Sequence, residues 1–444
     1  MTGSRRPGWS STPPGPPARP ASAAVPSRRL PLPGCGPTGR AVSRPGRGPR
    51  TGRSTRQASS PRSAGPPRGA SGSGRSAPAA PGARSPSPTR SSSTARPLTG
   101  VVAVADGRVR ARAGATLAAV LAELDTRGLT LDAVPAALDV TVAGAVTTGT
   151  HGSGAGTGSL SAAVTGVRLV DGTATVRSIE GPALDGARCG LGVLGVLTEV
   201  DLAVVPAVTL AAREELVPLA EVLACGVLDA HRWVELVVFG DRQVLVRRAD
   251  PVTGGDVTAP ARGDTVRAAA VGSAQALARA VPRLAPALQR STGRWSGSVT
   301  GPAHRVLAGG RAVREERTEW ALPRPALEPV LRELDAAAAA LGVGPRPPLL
   351  VRVGPAETGW LHPAHGRATA WVGLRVPAEH GLFRLVSSVL GAAGGRPHWA
   401  ARHDWAATDV EVAYPRLPDF RRLRARLDPD RRFAGPVLDA LLGP

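Results

Sequence analysis

Apolar and polar residues alternate in two different textures along this chain, and the change falls near residue 100. Beyond it the pattern is that of folded protein. Val101, Ala103 and Ala105, then Val109, Ala111 and Ala113, alternate with other residues about Asp106-Gly107. Period-two spacing around Asp-Gly predicts a β-hairpin. Leu117, Val120, Leu121 and Leu124 follow at helical spacing, with Thr116 placed to cap the helix and Gly128 to end it. Residues 164–176 hold two strand-like runs about a second Asp-Gly turn at Asp171-Gly172. The run from Leu191 to Thr198 leads into an alternating strand over 199–204, which Pro206 closes. Later, Leu331 and Leu334 predict a helix ending in Ala337 to Ala340, and residues 349–353 read as a strand. Short strands mixed with helices predict an α+β fold, not a regular βαβ repeat.

Before residue 100 the apolar periodicity disappears. Residues 1–100 hold seventeen Arg and no Asp or Glu, in a background of Pro, Ser and Gly. Of the net charge of +21, +17 therefore lies there; the remaining 38 basic and 34 acidic residues leave only +4 for the rest. The folded part is nearly neutral, so the charge does not argue for a nucleic-acid partner, which requires clustering on a folded face. Segment 1–97 buries too little apolar surface to offset the entropy of ordering it. Arg5-Arg6 lacks the apolar stretch of an export signal, and the spaced prolines oppose an amphipathic targeting helix. The chain has no Lys, no Asn, one Ile (Ile179) and one Tyr (Tyr414), which indicates a GC-rich gene. Out-of-frame reading of such a gene yields Arg, Pro, Ala, Gly and Ser. This predicts that much of 1–97 is read in a shifted frame, with the return to frame near Pro97 to Val101; the genomic sequence tests it directly.

The chemistry concentrates in residues 141–158, where six glycines are interleaved with Thr and Ser and no side chain is charged. Glycine lets backbone approach a ligand closely, and successive free N–H groups form an anion-binding concavity. Ordered apolar segments on both sides argue against a flexible linker, so a nucleotide cofactor is expected here. The spacing excludes a dinucleotide-binding Rossmann turn, because Thr157 stands where Gly-x-Gly-x-x-Gly needs its last glycine. Cys35, Cys189 and Cys225 have no paired spacing, which argues against a disulfide framework and for a reducing compartment. No run reaches the ~18 apolar residues of a membrane span. A cytoplasmic protein with at most peripheral membrane contact is expected.

Three segments together carry a family resemblance: Thr141 to Leu160, Gly190-Leu-Gly-Val-Leu-Gly195-Val-Leu-Thr198, and a C-terminal set. That set is Gly395-Arg-Pro-His-Trp399, Tyr414-Pro-Arg-Leu-Pro-Asp-Phe420 and Leu427-Asp-Pro-Asp-Arg-Arg-Phe433. The chain resembles the FAD-dependent sugar-lactone and alditol oxidases over roughly residues 98–444. The resemblance implies a vanillyl-alcohol-oxidase-type (PCMH-type) FAD-binding domain, of which 98–206 remain, and a substrate-binding cap over 207–444. It implies hydride transfer from a CH–OH group of a polyol or sugar lactone to FAD, with dioxygen or another acceptor taking the electrons onward; the flavin carries the chemistry and the protein positions it. Carried over residue by residue, it sets Thr141, Val146, Gly149, Thr150, His151, Gly152, Ser153, Gly154 and Gly156 against the cofactor, with Gly195 and Val196 beside it. His151 reads more readily as a hydrogen-bonded scaffold residue.

The chain departs from the family at three points. The Gly-x-Gly-His-Ser segment is absent as translated, and in the shifted reading the His codon becomes x-G-C; non-covalent FAD is therefore expected. Ala401 follows His398-Trp399-Ala400 where the family has Lys, leaving Arg402 or His403 to supply a cation, and Arg is not a free substitute for Lys. The Glu-x-Arg pair that grips substrate hydroxyls becomes Leu350-Val351-Arg352, so the carboxylate is missing and Arg352 remains. Arg352, His398 and Arg402 are the catalytic candidates. Arg352 also reads as an exposed strand arginine, and His398, Trp399, Trp360 and Glu319-Trp320 as packing. His362 and His365 lack a carboxylate pattern for a metal. Arg421-Arg-Leu-Arg-Ala-Arg426 reads as a solvated helix face. The alternative to a working oxidase is a non-catalytic remnant that keeps the fold and binds flavin weakly or not at all.

Overall fold

The computed structural model describes residues 98–240, 242–253, 287, 299–308, 317–340, 342, 347–375 and 381–443. The segment expected to be low in complexity and frame-shifted, 1–97, lies outside them. The first part of the described chain contains β1 (Val101–Ala105), β2 (Arg108–Arg112), β3 (Leu129–Thr130), β4 (Val164–Val170), β5 (Val176–Ile179), β6 (Val196–Ala203) and β7 (Val205–Pro206). The second contains β8 (Thr209–Pro218), β9 (Trp233–Val238), β10 (Gln243–Pro251), β11 (Val299–Pro302), β12 (Arg317–Pro323), β13 (Leu349–Gly354), β14 (Thr369–Arg375) and β15 (Arg396–Pro397).

The first sheet has the order β1-β2-β6-β4-β5, antiparallel throughout. The Asp106-Gly107 hairpin forms, with both turn residues at positive φ as such a turn requires. The helix Leu117–Asp125 is N-capped by Thr116, whose side chain accepts from the Ala119 N–H at 3.2 Å, and it buries Leu117, Val120, Leu121 and Leu124. Two expectations shift. The last strand of this sheet starts at Val196 rather than 199, and Pro206 does not close the unit but pairs with Leu129 between β7 and β3. The Asp171-Gly172 turn is longer than two residues, because Asp171 accepts from the N–H groups of both Thr173 and Thr175.

The second sheet has eight strands in the order β11-β8-β10-β9-β13-β14-β12-β15. Strand alternation gives its two faces different chemistry. One carries Val234, Leu236, Val238, Val351, Val353, Val372, Trp320 and Leu322, packed against Leu331 and Leu334 of the helix Leu327–Ala340 and Val386 and Leu390 of the helix Gly381–Ala392. The other carries Glu235, Arg352, Trp371 and Glu319, brought together by the registers Arg352↔Trp371 and Glu319↔Gly373. A polar, aromatic face on a central sheet must meet something, and what it meets is the glycine-rich loop.

The C-terminal helices Leu417–Leu427 and Pro436–Leu442 return to the first sheet. Tyr414, Phe420, Leu423 and Leu442 share a core with Leu117, Val146, Leu160 and Val200. The Arg-rich helix is accordingly only partly solvated: Arg424 is buried and its guanidinium bonds Asp439 at 2.8 Å. We expect Phe420→Ala to lower the urea-unfolding free energy by about 3–5 kcal/mol. A loss below about 1 kcal/mol in that measurement would mean the helix is not part of this core. Among the described residues Cys189 is free and buried; Cys35 lies outside them. No helix among the described residues is long and apolar enough to cross a membrane.

Candidate functional site

The site begins with the short helix Val142–Thr147. Thr141 caps it, accepting from the Gly144 N–H at 3.1 Å, and the chain then turns at Gly149, whose φ is +76°. Side chains here would obstruct. A Cβ on Gly149 would stand 3.0 Å from the His362 ring, and one on Gly154, at φ +150°, would stand 2.1 Å from the Arg232 carbonyl oxygen. The absence of those carbons lets the loop press onto the second sheet. The Gly154 N–H donates to the Val353 carbonyl at 2.9 Å, and the Ser153 hydroxyl donates to the Val234 carbonyl while accepting from the Val353 N–H at 3.2 Å.

This docking inserts His151 into the polar face of the sheet. Its ring stacks on Trp371 with centroids 3.8 Å apart and planes 14° apart, and its Nε2 stands 3.7 Å from Glu319 Oε1. Arg352 Nη1 lies 3.6 Å from the same oxygen, while Arg352 Nε donates to Glu235 at 2.7 Å. His398 joins from the start of the C-terminal region, its N–H donating to the Glu319 carbonyl at 2.8 Å. His151, Glu319, Arg352, His362 and His398 are all buried.

Burial sets the protonation of this cluster. It pushes His151 down to about 3 and His398 to about 4, and it holds His362 well below the usual range, so all three rings are neutral at neutral pH. Burial alone would raise Glu319; Arg317, His151, His398 and Arg352 outweigh it and hold the carboxyl at about 2. The permanent charges among these are the two arginines. Tautomers follow from the partners. Gly152 O can only accept, so His151 Nδ1 carries the hydrogen in their 2.8 Å contact and Nε2 is a bare acceptor facing Glu319. The Ala400 N–H can only donate, at 3.1 Å to His398 Nδ1, so His398 carries its hydrogen on Nε2.

The remaining candidates divide. Thr150, Gly152 and Ser153 lie in the docked loop with His151. Thr141 is occupied as a helix cap and Val146 is wholly buried in the first core. A Cβ on Gly195, at φ +144°, would stand 2.5 Å from the Val170 carbonyl oxygen, and Val196 beside it is 51 % exposed. Arg352 is buried, not a solvated strand arginine. Arg402 is not brought to the cluster; its guanidinium lies over the Phe383 ring, 4.3 Å from the centroid. Two carboxylates of this cluster were not among the sequence's site candidates: Glu319, read chiefly as packing, and Glu235. The available signal was a carboxylate at Glu319 inside the apolar strand Thr318 to Leu322, where only a paired charge is tolerated. The cap therefore does not lack an acid: carboxylates flank Arg352 on both sides, from β9 and β12.

The sequence profile of the D-arabinono-1,4-lactone oxidase family matches residues 200–441, and that of an FAD-binding domain matches residues 92–180. L-gulono-1,4-lactone dehydrogenase of Mycobacterium tuberculosis is 30 % identical over 368 residues, covering 78 % of this chain and 85 % of the relative. Alditol oxidase of a Streptomyces species is 32 % identical over 358 residues, covering 75 % and 81 %. The cholesterol oxidase structure from Brevibacterium sterolicum superposes with a TM-score of 0.64 at 15 % identity, over 78 % of this chain and 83 % of that one, which places the fold. The architecture is thus the α+β fold of the vanillyl-alcohol-oxidase type, the cofactor is FAD, and the protein is an oxidoreductase.

The described residues offer surfaces suited to parts of that cofactor at two places. Thr147, Gly190, Gly192, Leu194 and Gly195 line a shallow groove, and Gly156 and Gly192 have open space where a Cβ would stand. Such uncharged glycine surfaces suit a nucleotide backbone. A shallow cleft opens between Gly152-Ser153 and the sheet, lined by Val134, Val234, Glu235 and Arg352. The slot between His151 and Trp371 is closed, because a planar ring needs about 7 Å between its neighbours, two contacts of ~3.5 Å.

Proposed function

The chain belongs to the D-arabinono-1,4-lactone oxidase family of FAD-dependent oxidoreductases, and on that premise we propose that it oxidises a CH–OH group of a sugar lactone or alditol. The observation that carries this reading is the buried cluster of Arg352, Glu319, His151 and His398 on the sheet face beneath the glycine-rich loop. When bound, FAD supplies the acceptor for the hydride of the carbinol carbon, and dioxygen or another oxidant takes the electrons onward. Gly149, Thr150, Gly152, Gly156, Gly195 and Val196 hold the cofactor through backbone and small side chains. The protein's own part is proton handling and orientation. Arg352, fixed by Glu235, presents Nη1 to a substrate oxygen. His151 Nε2, unprotonated at neutral pH, offers a hydrogen-bond acceptor to the hydroxyl, while His398 Nε2–H is held by the Gly149 carbonyl and ties that ring to the glycine-rich loop.

Arg352→Met keeps the length and apolar stem of the side chain but removes the donors. With L-gulono-1,4-lactone, D-arabinono-1,4-lactone or an alditol as substrate, kcat/KM should fall roughly 10- to 150-fold, the worth of a charged hydrogen bond of about 1.5–3 kcal/mol. An unchanged kcat/KM would remove Arg352 from the site. A second reading, a family member that keeps the fold without catalysis, draws on the direct His151–Trp371 stack at 3.8 Å. It predicts a protein that purifies colourless and gains no flavin absorbance on incubation with FAD.

A further inference from the structure

Two arginines reach across one another at the β15 edge of the second sheet. Arg367 precedes β14 and donates Nη1 to the Gly394 carbonyl at 2.8 Å and Nη2 to the Ala321 carbonyl at 3.0 Å. Arg396 lies in β15 opposite Ala321, and its Nη1 returns to the carbonyls of His365 at 2.9 Å and Pro363 at 3.2 Å. Every acceptor is a main-chain carbonyl. Among the described residues neither guanidinium pairs with a carboxylate, and like charges held this close make each other costlier to bury. Burial and the charge of Arg396 push Arg367 down to about 10, and burial lowers Arg396 too. Three polar groups around the pair are left over. Arg367 Nε is buried without an acceptor, and the Tyr414 hydroxyl is wholly buried without a partner. Arg396 gives only its Nη1 to the described residues, which leaves its Nε–Nη2 edge uncommitted.

The uncommitted edge of a guanidinium is a two-donor fork that matches two oxygens of one oxyanion. Both arginines are partly exposed, so the fork is approached from solvent. Arg396 Cζ stands 5.1 Å from the centroid of the Tyr414 ring, and both guanidiniums act electrostatically on its phenol. Burial raises that phenol, so it stays a neutral O–H donor. Two positive charges repel a metal ion, and a neutral ligand would leave both uncompensated. We propose that Arg396 and Arg367 form a binding site for a small oxyanion of the inorganic-phosphate class, with the Tyr414 hydroxyl as a further donor. The site lies behind the catalytic cluster and bears on it. The crossed arginines tie the loop that carries His362 to the segment that carries His398, and both rings meet the glycine-rich loop at Gly149. An oxyanion that neutralises the pair therefore firms the support of that loop, whatever substrate the cluster oxidises.

The test is calorimetric titration of inorganic phosphate into the full-length protein at fixed ionic strength, with FAD in excess so that the cofactor's own phosphate contacts are filled. Wild type should bind phosphate saturably with a submillimolar Kd. Arg396→Lys keeps the charge but loses the fork, and should weaken phosphate at least about 10-fold, the scale of a charged hydrogen bond. Tyr414→Phe keeps the ring in its stack on Trp399 and should weaken phosphate about 5-fold, the scale of a neutral one. The same variant separates a ligand donor from a structural tyrosine. Without phosphate it should be at least as stable as wild type in urea, because a buried hydroxyl without a partner is removed. Added phosphate should then raise the urea midpoint of wild type more than that of the variant. Wild type without saturable binding overturns the assignment, as does an Arg396→Lys protein that binds phosphate as tightly as wild type. A phosphate-induced rise in midpoint equal in wild type and Tyr414→Phe removes the tyrosine from the site. None of these results touches the oxidase reading, which flavin reduction tests separately.

Discussion

Gly154→Ala is expected to break the junction between the glycine-rich loop and the second sheet, lowering stability by roughly 3–5 kcal/mol. The residue has φ +150°, where an L side chain adds about 1–3 kcal/mol of strain. Its Cβ would stand 2.1 Å from the Arg232 carbonyl oxygen, and that oxygen is backbone that cannot swing aside. Relief requires the loop to lift, which gives up the Gly154 N–H bond to Val353 and the Ser153 bonds to Val234 and Val353, each worth about 1 kcal/mol net. Lifting the loop also withdraws His151 from Trp371 and Glu319, so flavin retention and turnover should fall together. Gly156 provides the internal comparison. It lies two residues on, with open space where its Cβ would be, and Gly156→Ala should stay within about 1 kcal/mol of wild type. Urea unfolding of both variants decides it, and equal effects would contradict the docking geometry.

Acidification is expected to unfold the protein well above the usual carboxylate range. Burial holds His151 at about 3, His398 and His403 at about 4, and His362 well below its ordinary value. In the unfolded chain the same rings titrate near 6.5. The folded values are depressed, so the unfolded state binds protons first as pH falls. Stability from these groups is fully present above pH 6.5 and is lost progressively between about 6.5 and 4. Each ring contributes a slope of up to about 1.4 kcal/mol per pH unit. Two or three acting together would consume a net stability of ~5–15 kcal/mol within two to three units. His362→Gln should flatten the slope by about one ring's share, read from urea midpoints at pH 7, 6 and 5. Stability that stays constant from pH 7 to 5 would mean that these rings are not buried neutral.

The fold was legible where local pattern and tertiary structure agree. Asp106-Gly107, the Thr116 cap and the Leu117, Val120, Leu121, Leu124 stripe needed no long-range information, because turn and helix chemistry fix them locally. The glycine-rich loop was legible as a place of close approach, but not what it approaches: in this structure Gly149 and Gly154 make room for His362 and for the Arg232 carbonyl. Cross-strand neighbours were the hardest to see. Arg352 appeared to have lost its acid because sequence shows only Leu350, two residues away. Register sets Glu235 and Glu319 beside it from strands 117 and 33 residues distant. Glu319 itself reads as packing, since the strand around it is apolar, and only the alternation of faces in the eight-stranded sheet turns it inward. Arg402 illustrates the reverse. The resemblance offered it as a cation in place of the family's lysine, yet its guanidinium packs over Phe383.

The most direct test of the central claim is anaerobic addition of L-gulono-1,4-lactone, D-arabinono-1,4-lactone and a series of alditols to the full-length, FAD-loaded protein while flavin absorbance is recorded. The account predicts bleaching by at least one of them, restored on admitting an oxidant and slowed in Arg352→Met. A protein that holds its flavin fully, yet is bleached by none of these compounds, would contradict the assignment of this site to CH–OH oxidation.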